Sequence, residues 1–415
     1  MNYKTVKQPQ KRYTVSYNSA WGIQMYGDDN LYPNRQEDLI KNSPTGGTCL
    51  ERYISFLEGN GFYNEDFARY VCNRYGDTMD DILRQVASDI GKFNGFALHV
   101  NYNVDLNISE LQYVPFKTCR LDEEDDNGYI PFISIHPDWE GNKTRRGKTV
   151  AVNKKNIRKV YPFNPIKNVV MAQIEADGGI ESYRGQILWV SVQGGRVYPT
   201  TMYDKVTTEL SVDEGISNVK YRNVRNNFLP AALLMRRKGL TVVTNDDGTE
   251  SFEEESDDAL QEELATFQGD ENACAIMDIT YQQEEDIPKY QAIEGVNFDK
   301  KFLSTESSTV ERIYAAFGQE PWYCVRVGKV GFSGDVLREA YEYYNSYVDN
   351  TRRIMTRAIE SIFLHWGDKE CPLGDYRIEP LIYQYNYANG NLDETQRQNG
   401  ADGHNNTGNG DDNNR

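Results

Sequence analysis

The chain is short of the residues that most often carry chemistry. Its 415 residues include four histidines, His99, His136, His365 and His404, and none stands at an HxxxH or HExxH spacing. That leaves a zinc site without a ligand pattern. Six cysteines lie far apart, at 49, 72, 119, 274, 324 and 371, with no CxxC pair, so they read as reduced thiols that behave as small apolar residues. No GxSxG elbow occurs. No run of 18 apolar residues is present, and MNYKTVKQPQKRYTV lacks a signal-peptide core. The expectation is therefore a chain neither secreted by the usual route nor spanning a membrane. SPTGGTC from Ser43 lacks the Gly-Lys-Ser/Thr of a phosphate loop, and GKVGFSG from Gly328 lacks its context. Positive charge is also scarce. The formal net charge is −18, which argues against a broad basic face gripping nucleic acid.

What is present is a folded core's worth of apolar residues, 39% of the chain, with 29 tyrosines. Leu50, Tyr53, Ile54 and Leu57 share a helical face, with Ser43 or Thr45 as cap and Gly59 and Gly61 as stops. A second helix starts near Thr78, with Asp81 completing a capping box. The period then changes to alternation in FALHVNYN and ISELQYVPF, which with VDLN between them predicts a hairpin over 96–116. DEEDDNG from Asp122 reads as an acidic turn, and YIPFISI, VVMAQIEA and QILWVSVQ as strands. Helices are expected over about 201–224, over the acidic stretch FEEESDDALQEELATFQG, and over 298–317; FLPAALLM and ACAIMDITY read as strands or buried segments. The acidic clusters lack EF-hand spacing and read as solvated charge.

Two stretches stand out. From Lys143 to Lys159 the chain carries Lys143, Arg145, Arg146, Lys148, Lys154, Lys155, Arg158 and Lys159 and no acidic residue. This basic run is either the charged edge of a hairpin or a contact to an acidic partner or a DNA backbone. Near the other end, a helix stops at Gly318, Pro321 interrupts, and Ser333 caps a long helix. That helix carries the stripe Leu337, Ala340, Tyr341, Tyr344, Val348, Thr351, Met355, Ala358, Ile362. Beyond Asn389 the chain is Asn, Gly, Asp and Gln, and is expected to be disordered.

The order of these pieces resembles the portal proteins of tailed bacteriophages. The likeness lies in Phe317, Gly318, Pro321, Ser333, Gly334, Glu339, Ala340 and Tyr341, in the hairpin with Val114 and Pro115, in CLERYISFLEGNGF, and in Tyr198 to Pro230. Portals of podovirus-like phages of gut Bacteroidetes offer the nearest pattern. The resemblance implies an α+β, portal-like fold: a mixed wing domain, a small β-rich clip, one or more stem helices and a long C-terminal helix. Mapped onto the chain, this gives an N-terminal arm over 1–35, wing over 36–121, a clip-like region over 122–200 and a stem helix over 201–225. Wing and channel-side elements follow over 226–330, then the long helix with C-terminal wing or crown over 331–388, and a tail over 389–415. It further implies a ring, usually of twelve subunits, at one capsid vertex of the virion, assembled in the host cytoplasm. Its partners would be the major capsid protein, the terminase large subunit, a head–tail adaptor and double-stranded DNA passing through the channel. No catalysis, cofactor, metal or membrane is implied. Another virion component, or a soluble enzyme or glycan-binding protein, is the alternative.

Overall fold

The computed structural model describes residues 15–141, 144–145, 148–149, 151–194, 197–225, 232–236, 240–244, 250–254, 276–280, 298–329 and 334–383. The architecture is mixed α+β, and a six-stranded sheet organises it. In chain order the first elements are a hairpin of β1 (Val15–Asn18) and β2 (Ile23–Tyr26), then helices α1 (Tyr32–Asn42), α2 (Pro44–Glu58), α3 (Glu65–Ala68) and α4 (Met79–Phe93). Strands β3 (Gly95–Tyr102), β4 (Ile108–Val114), β5 (Cys119–Leu121), β6 (Ile133–Ile135), β9 (Arg158–Pro162) and β10 (Gln186–Ser191) build the sheet in the order β4-β3-β10-β9-β6-β5. Two-residue strands β7 (Thr144–Arg145) and β8 (Lys148–Thr149) pair with each other, and α5 (Lys167–Ala176) lies between β9 and β10. The 96–121 and 122–200 segments thus contribute strands to one continuous sheet.

The local chemistry explains these elements. Ser43 accepts the Gly46 N–H at the start of α2, and Gly59 ends it. The Thr78–Asp81 capping box is fully formed at α4. The predicted hairpin is present, with Ala97 opposite Val114 and a bulge near Tyr102. Along β3 the side chains alternate between two cores. Phe96, Leu98 and Val100 enter the larger one with the helices, whereas Ala97 joins Phe116, Leu121, Ile187 and Tyr198 on the other. Both sheet edges are covered, which removes the template that an open edge offers to other chains. Ile108 of β4 exchanges backbone hydrogen bonds with His365 and Gly367, and β2 bridges to Asp122 beside β5.

Two expectations are corrected. VVMAQIEA is helix, not strand, because a short apolar run carries no period of its own and Gly178 and Gly179 end it as a helix in the left-handed region. The start of the acidic stretch, Phe252–Glu254, belongs to β13 (Glu250–Glu254), antiparallel to β12 (Leu240–Thr244), because a partner strand overrides helical propensity. Residues 255–269 of that stretch lie outside the described residues, as do 228–231 of FLPAALLM, Ser333, and the tail over 389–415. Strands β11 (Ala232–Arg236) and β14 (Ile276–Thr280) form a parallel pair. Of YIPFISI only Ile133–Ile135 is strand. Residues 15–26, read as part of an arm, are built into the body, with Ile23 and Tyr26 fully buried.

The remaining helices are α6 (Thr207–Arg225), α7 (Phe298–Ala316), α8 (Glu320–Arg326) and α9 (Gly334–Phe363). Pro321 does not end helical structure here; it sits in the first turn of α8, where a missing N–H costs nothing. Helix α9 has 30 residues, roughly 45 Å at 1.5 Å per residue. Its predicted stripe is buried at Leu337, Ala340, Tyr344, Val348, Thr351, Met355, Ala358 and Ile362. It packs on α2 through Phe56, whose ring meets Tyr344 at 4.8 Å and Tyr341 at 4.9 Å. Arg352 of α9 donates from Nε to the Phe56 carbonyl at 2.8 Å, satisfying an acceptor in the last turn of α2.

Candidate functional site

The basic run is the first place to examine. Lys143 and Arg146 lie outside the described residues. Arg145 and Lys148 are register partners in the β7–β8 ladder. Lys154 and Lys155 are held out on a turn that Asn153 closes: its Oδ1 accepts from Lys155 N at 2.9 Å and Asn156 N at 3.2 Å. Ile157 then drops into a small core with Ile23 and Trp139, which pins the turn to the body. Arg158 and Lys159 follow on β9, both exposed. Lys159 is spent internally: it pairs with the buried Asp122 carboxylate, which also accepts from Ser134 Oγ at 2.6 Å. Lys154 Cε and Lys159 Nζ come within 4 Å of where a side chain on Gly22 would begin. Three exposed cations, Lys154, Lys155 and Arg158, have no ion-pair partner among the described residues.

The glycine-rich start of α2 resembles an anion site in one respect, and the structure shows what fills it. Asp213 of α6 reaches the helix N-terminus and accepts from Ser43 Oγ at 2.6 Å, Thr45 N at 2.9 Å and Thr45 Oγ1 at 3.2 Å. A carboxylate at a helix N-terminus is stabilised by unpaired N–H groups and the helix dipole. The phosphate position is therefore occupied by the chain itself, and the contact locks α6 to the body. Asp213→Ala is expected to cost about 3 kcal/mol, because three buried donors lose a charged acceptor. Urea unfolding would register this; a change below about 0.5 kcal/mol would contradict it.

Helices α6 and α7 run antiparallel, tied by Lys220–Glu306 and by Arg312 to Glu209 at 3.0 Å. Their roots are in the core, at Leu210, Asp213, Ile313, Tyr314 and Phe317. Farther out, Tyr221 and Leu303 are 59% and 64% exposed. The pair is a stalk whose base is fixed and whose farther residues, where their burial is described, are mostly exposed.

At the base, α7 ends in a Schellman turn. Gln319 N bonds Tyr314 O at 2.9 Å and Gly318 N bonds Ala315 O at 3.1 Å. Gly318 has φ +65°, and a Cβ there would stand 2.9 Å from the Tyr347 ring, so only glycine fits. Fully buried Gln319 donates to Cys49 O at 2.8 Å and Tyr344 Oη at 2.9 Å and accepts from Arg52 at 2.8 Å. The break therefore ties α2, α7 and α9 together.

Three histidines fall among the described residues. His99 Nε2 bonds the Arg184 carbonyl at 2.6 Å, and burial lowers its pKa. His136 Nδ1 accepts from Asp138 N at 3.1 Å, and His365 is exposed. Among the described residues no group of three His, Cys, Asp or Glu side chains is arranged to hold a metal.

Asp89 of α4 is a carboxyl with a raised pKa. It is buried, accepts from Phe116 N at 2.9 Å, and desolvation pushes its pKa up to about 7. An unfolded aspartate loses its proton near ~3.9. Between those values the unfolded state binds fewer protons, so this group makes stability fall as pH rises from about 4 to 7 and leaves it level above. Asp89→Asn is expected to remove that fall, read as the difference between variant and parent in urea unfolding at pH 5 and pH 8. Equal differences at the two pH values would contradict it.

No protein-family model matches the chain, and no curated protein matches it in sequence. Solved structures include partial likenesses. One is a chain of the neck of an empty gene transfer agent particle in C6 symmetry, with TM-score 0.45 and 11% identity, covering 91% of this chain and 93% of that one. A chain of the neck of the native particle in C12 symmetry gives 0.41 and 12%, covering 81% and 82%. A chain of the native gene transfer agent virion gives 0.41 and 11%, covering 79% and 81%. These values fall below the level at which a likeness supports an argument about role.

Proposed function

We propose that the chain is a portal-type subunit of a virion. It would form a ring at one capsid vertex, of about twelve copies, through which double-stranded DNA enters and leaves the head. The observation that carries this reading is the stalk. Two antiparallel helices leave an α+β body, bracket a separate segment with its own short strand pairs (β11–β14 and β12–β13), and return at a glycine break into a long helix packed on the body. In this reading α6 and α7 are both stem helices. The clip role passes from 122–200, whose main strands belong to the body's sheet, to the segment between the stem helices, 226–297. The break at Gly318 joins stem to body.

The charge balance fits a conduit. Every Lys or Arg that neutralises a phosphate adds affinity and slows passage, so a subunit with net charge −18 favours sliding over gripping. The subunit has no catalysis of its own and binds no cofactor. Lys143, Arg145, Arg146, Lys148, Lys154, Lys155, Arg158 and Lys159 are assigned to a partner- or DNA-facing surface, with Lys159 as the member that anchors it through Asp122. The partners would be the major capsid protein, the terminase large subunit and a head–tail adaptor. Charge reversal at Arg145, Arg146, Lys154 and Lys155 is expected to impair DNA packaging or adaptor binding in a reconstituted particle; unchanged packaging and binding would remove the assignment.

A further inference from the structure

Asn-Gly pairs occur among the described residues at Asn60, Asn94 and Asn127. In this dipeptide the backbone nitrogen that follows the asparagine reaches its side chain most easily, because glycine has no Cβ to obstruct the approach and leaves the chain free to turn. The fold treats the three pairs differently.

Asn60 is exposed but strapped. Its N–H donates to Glu379 O at 2.9 Å and its Nδ2 to Pro380 O at 3.3 Å, while Gly61 O accepts from Glu379 N at 2.8 Å. Asn94, between α4 and β3, is 9% exposed. Its N–H donates to Ile90 O at 2.8 Å, its carbonyl accepts from Val192 N at 3.0 Å, and its Nδ2 donates to Thr200 O at 3.2 Å. Gly95 beside it lies against the Phe116 ring. At both positions the side-chain amide is already bonded to a distant part of the chain, and swinging it onto the glycine nitrogen breaks a contact that holds elements together.

Asn127 lacks these restraints. It stands in the turn between β5 and β6, where every residue from 123 to 129 is exposed. Its side chain has no hydrogen bond among the described residues, and a Cβ on Gly128 would meet nothing within 4 Å. Asp125 holds the turn. Its Oδ1 accepts from Asn127 N at 2.9 Å and Tyr129 N at 2.8 Å, its N–H donates to Tyr129 O at 2.8 Å, and its carbonyl accepts from Gly128 N at 2.9 Å. The last bond occupies the nitrogen that must react, but it spans a solvated turn, which opens without disturbing either core.

We propose that Asn127 is a site of self-deamidation in the folded chain. With the turn open, hydroxide takes the Gly128 amide proton and the nitrogen attacks Asn127 Cγ. A new N–C bond closes a cyclic imide, and the side-chain nitrogen leaves as ammonia. Water then opens either imide carbonyl, leaving aspartate or isoaspartate, so that overall water is consumed and ammonia released. The product extends the run Glu123, Glu124, Asp125, Asp126 by a further carboxylate, in a turn that starts beside Asp122, the partner of Lys159. Negative charge at the foot of the basic run therefore grows as the protein ages. Its effect on a docking surface rests on the reading above; its occurrence does not.

The test needs no ring and no variant. Full-length protein is held at pH 8.5 and 37 °C, in buffer and separately in concentrated urea, then digested at pH 6 and mapped by mass spectrometry, with fragment ions locating each amide-to-acid change. In buffer Asn127 is expected to convert at least fivefold faster than Asn60 and Asn94, because reaction at those two waits on larger openings of the fold. In urea the three rates should converge, since the dipeptide is the same in each. A smaller ratio in buffer, conversion at Asn60 or Asn94 ahead of Asn127, or the same ratio kept in urea would overturn the proposal.

Discussion

Arg120→Ala is expected to destabilise the protein by about 3–5 kcal/mol, enough to consume much of the stability of an ordinary domain. Arg120 is fully buried, yet it pairs with no carboxylate among the described residues. Its guanidinium donates to Asn30 Oδ1 and to the carbonyls of Asn30 at 2.7 Å, Lys117 at 2.9 Å and Cys119 at 2.7 Å. It lies over the rings of Tyr26 at 5.5 Å and Trp139 at 5.1 Å. Burial lowers its pKa to about 10, so the charge persists at neutral pH, held by neutral dipoles and aromatic faces. Alanine removes this donor from the Asn30, Lys117 and Cys119 carbonyls, leaves Asn30 Oδ1 only the Tyr26 N–H, and opens a cavity beside the β1–β2 hairpin, and the two costs add. Urea unfolding monitored by tryptophan fluorescence gives the number. A loss below about 1 kcal/mol would mean that the charge costs as much to bury as its partners return.

Gly59→Ala is expected to be comparably damaging, by about 4 kcal/mol, for a different reason. Gly59 has φ 63° and ψ −143°, a region essentially closed to residues with a Cβ. An added Cβ would also lie far inside van der Waals contact with the Glu379 carbonyl oxygen. That carbonyl accepts from Asn60 N at 2.9 Å, and Glu379 N bonds Gly61 O at 2.8 Å. The extended segment through Ile378 is thereby strapped across the end of α2 and under α9, with Tyr383 packed on Tyr341 at 5.4 Å. Alanine must expel this strap or bend α2, so limited proteolysis should cut near 377–383 in the variant and not in the parent. Equal resistance, with a thermal midpoint within about 2 °C, would show that the strap does not depend on the glycine.

Local features were the legible part of this fold. The capping box at Thr78, the Gly59 stop, the 96–116 hairpin and the stripe on α9 each rest on residues a few positions apart, and each is present. Apolar runs without a period were not legible: nothing within VVMAQIEA distinguishes α5 from a strand except the glycines that follow it. Long-range polar pairing was invisible. Ser43 and Asp213 are 170 positions apart, and Arg120 finds the Asn30 side chain and carbonyl 90 positions away. The basic run was legible as a charged surface, but its internal division was not, since only the fold brings Asp122 to Lys159.

The central claim is that the stalk and break belong to a subunit of a ring. The most direct test is electron microscopy of the purified full-length chain, with mass in solution measured on the same sample. A portal-type subunit predicts particles of several hundred kilodaltons with a central hole in end-on view and rotational symmetry near twelvefold. Monodisperse monomers at micromolar concentration, or closed shells without a hole, would contradict it.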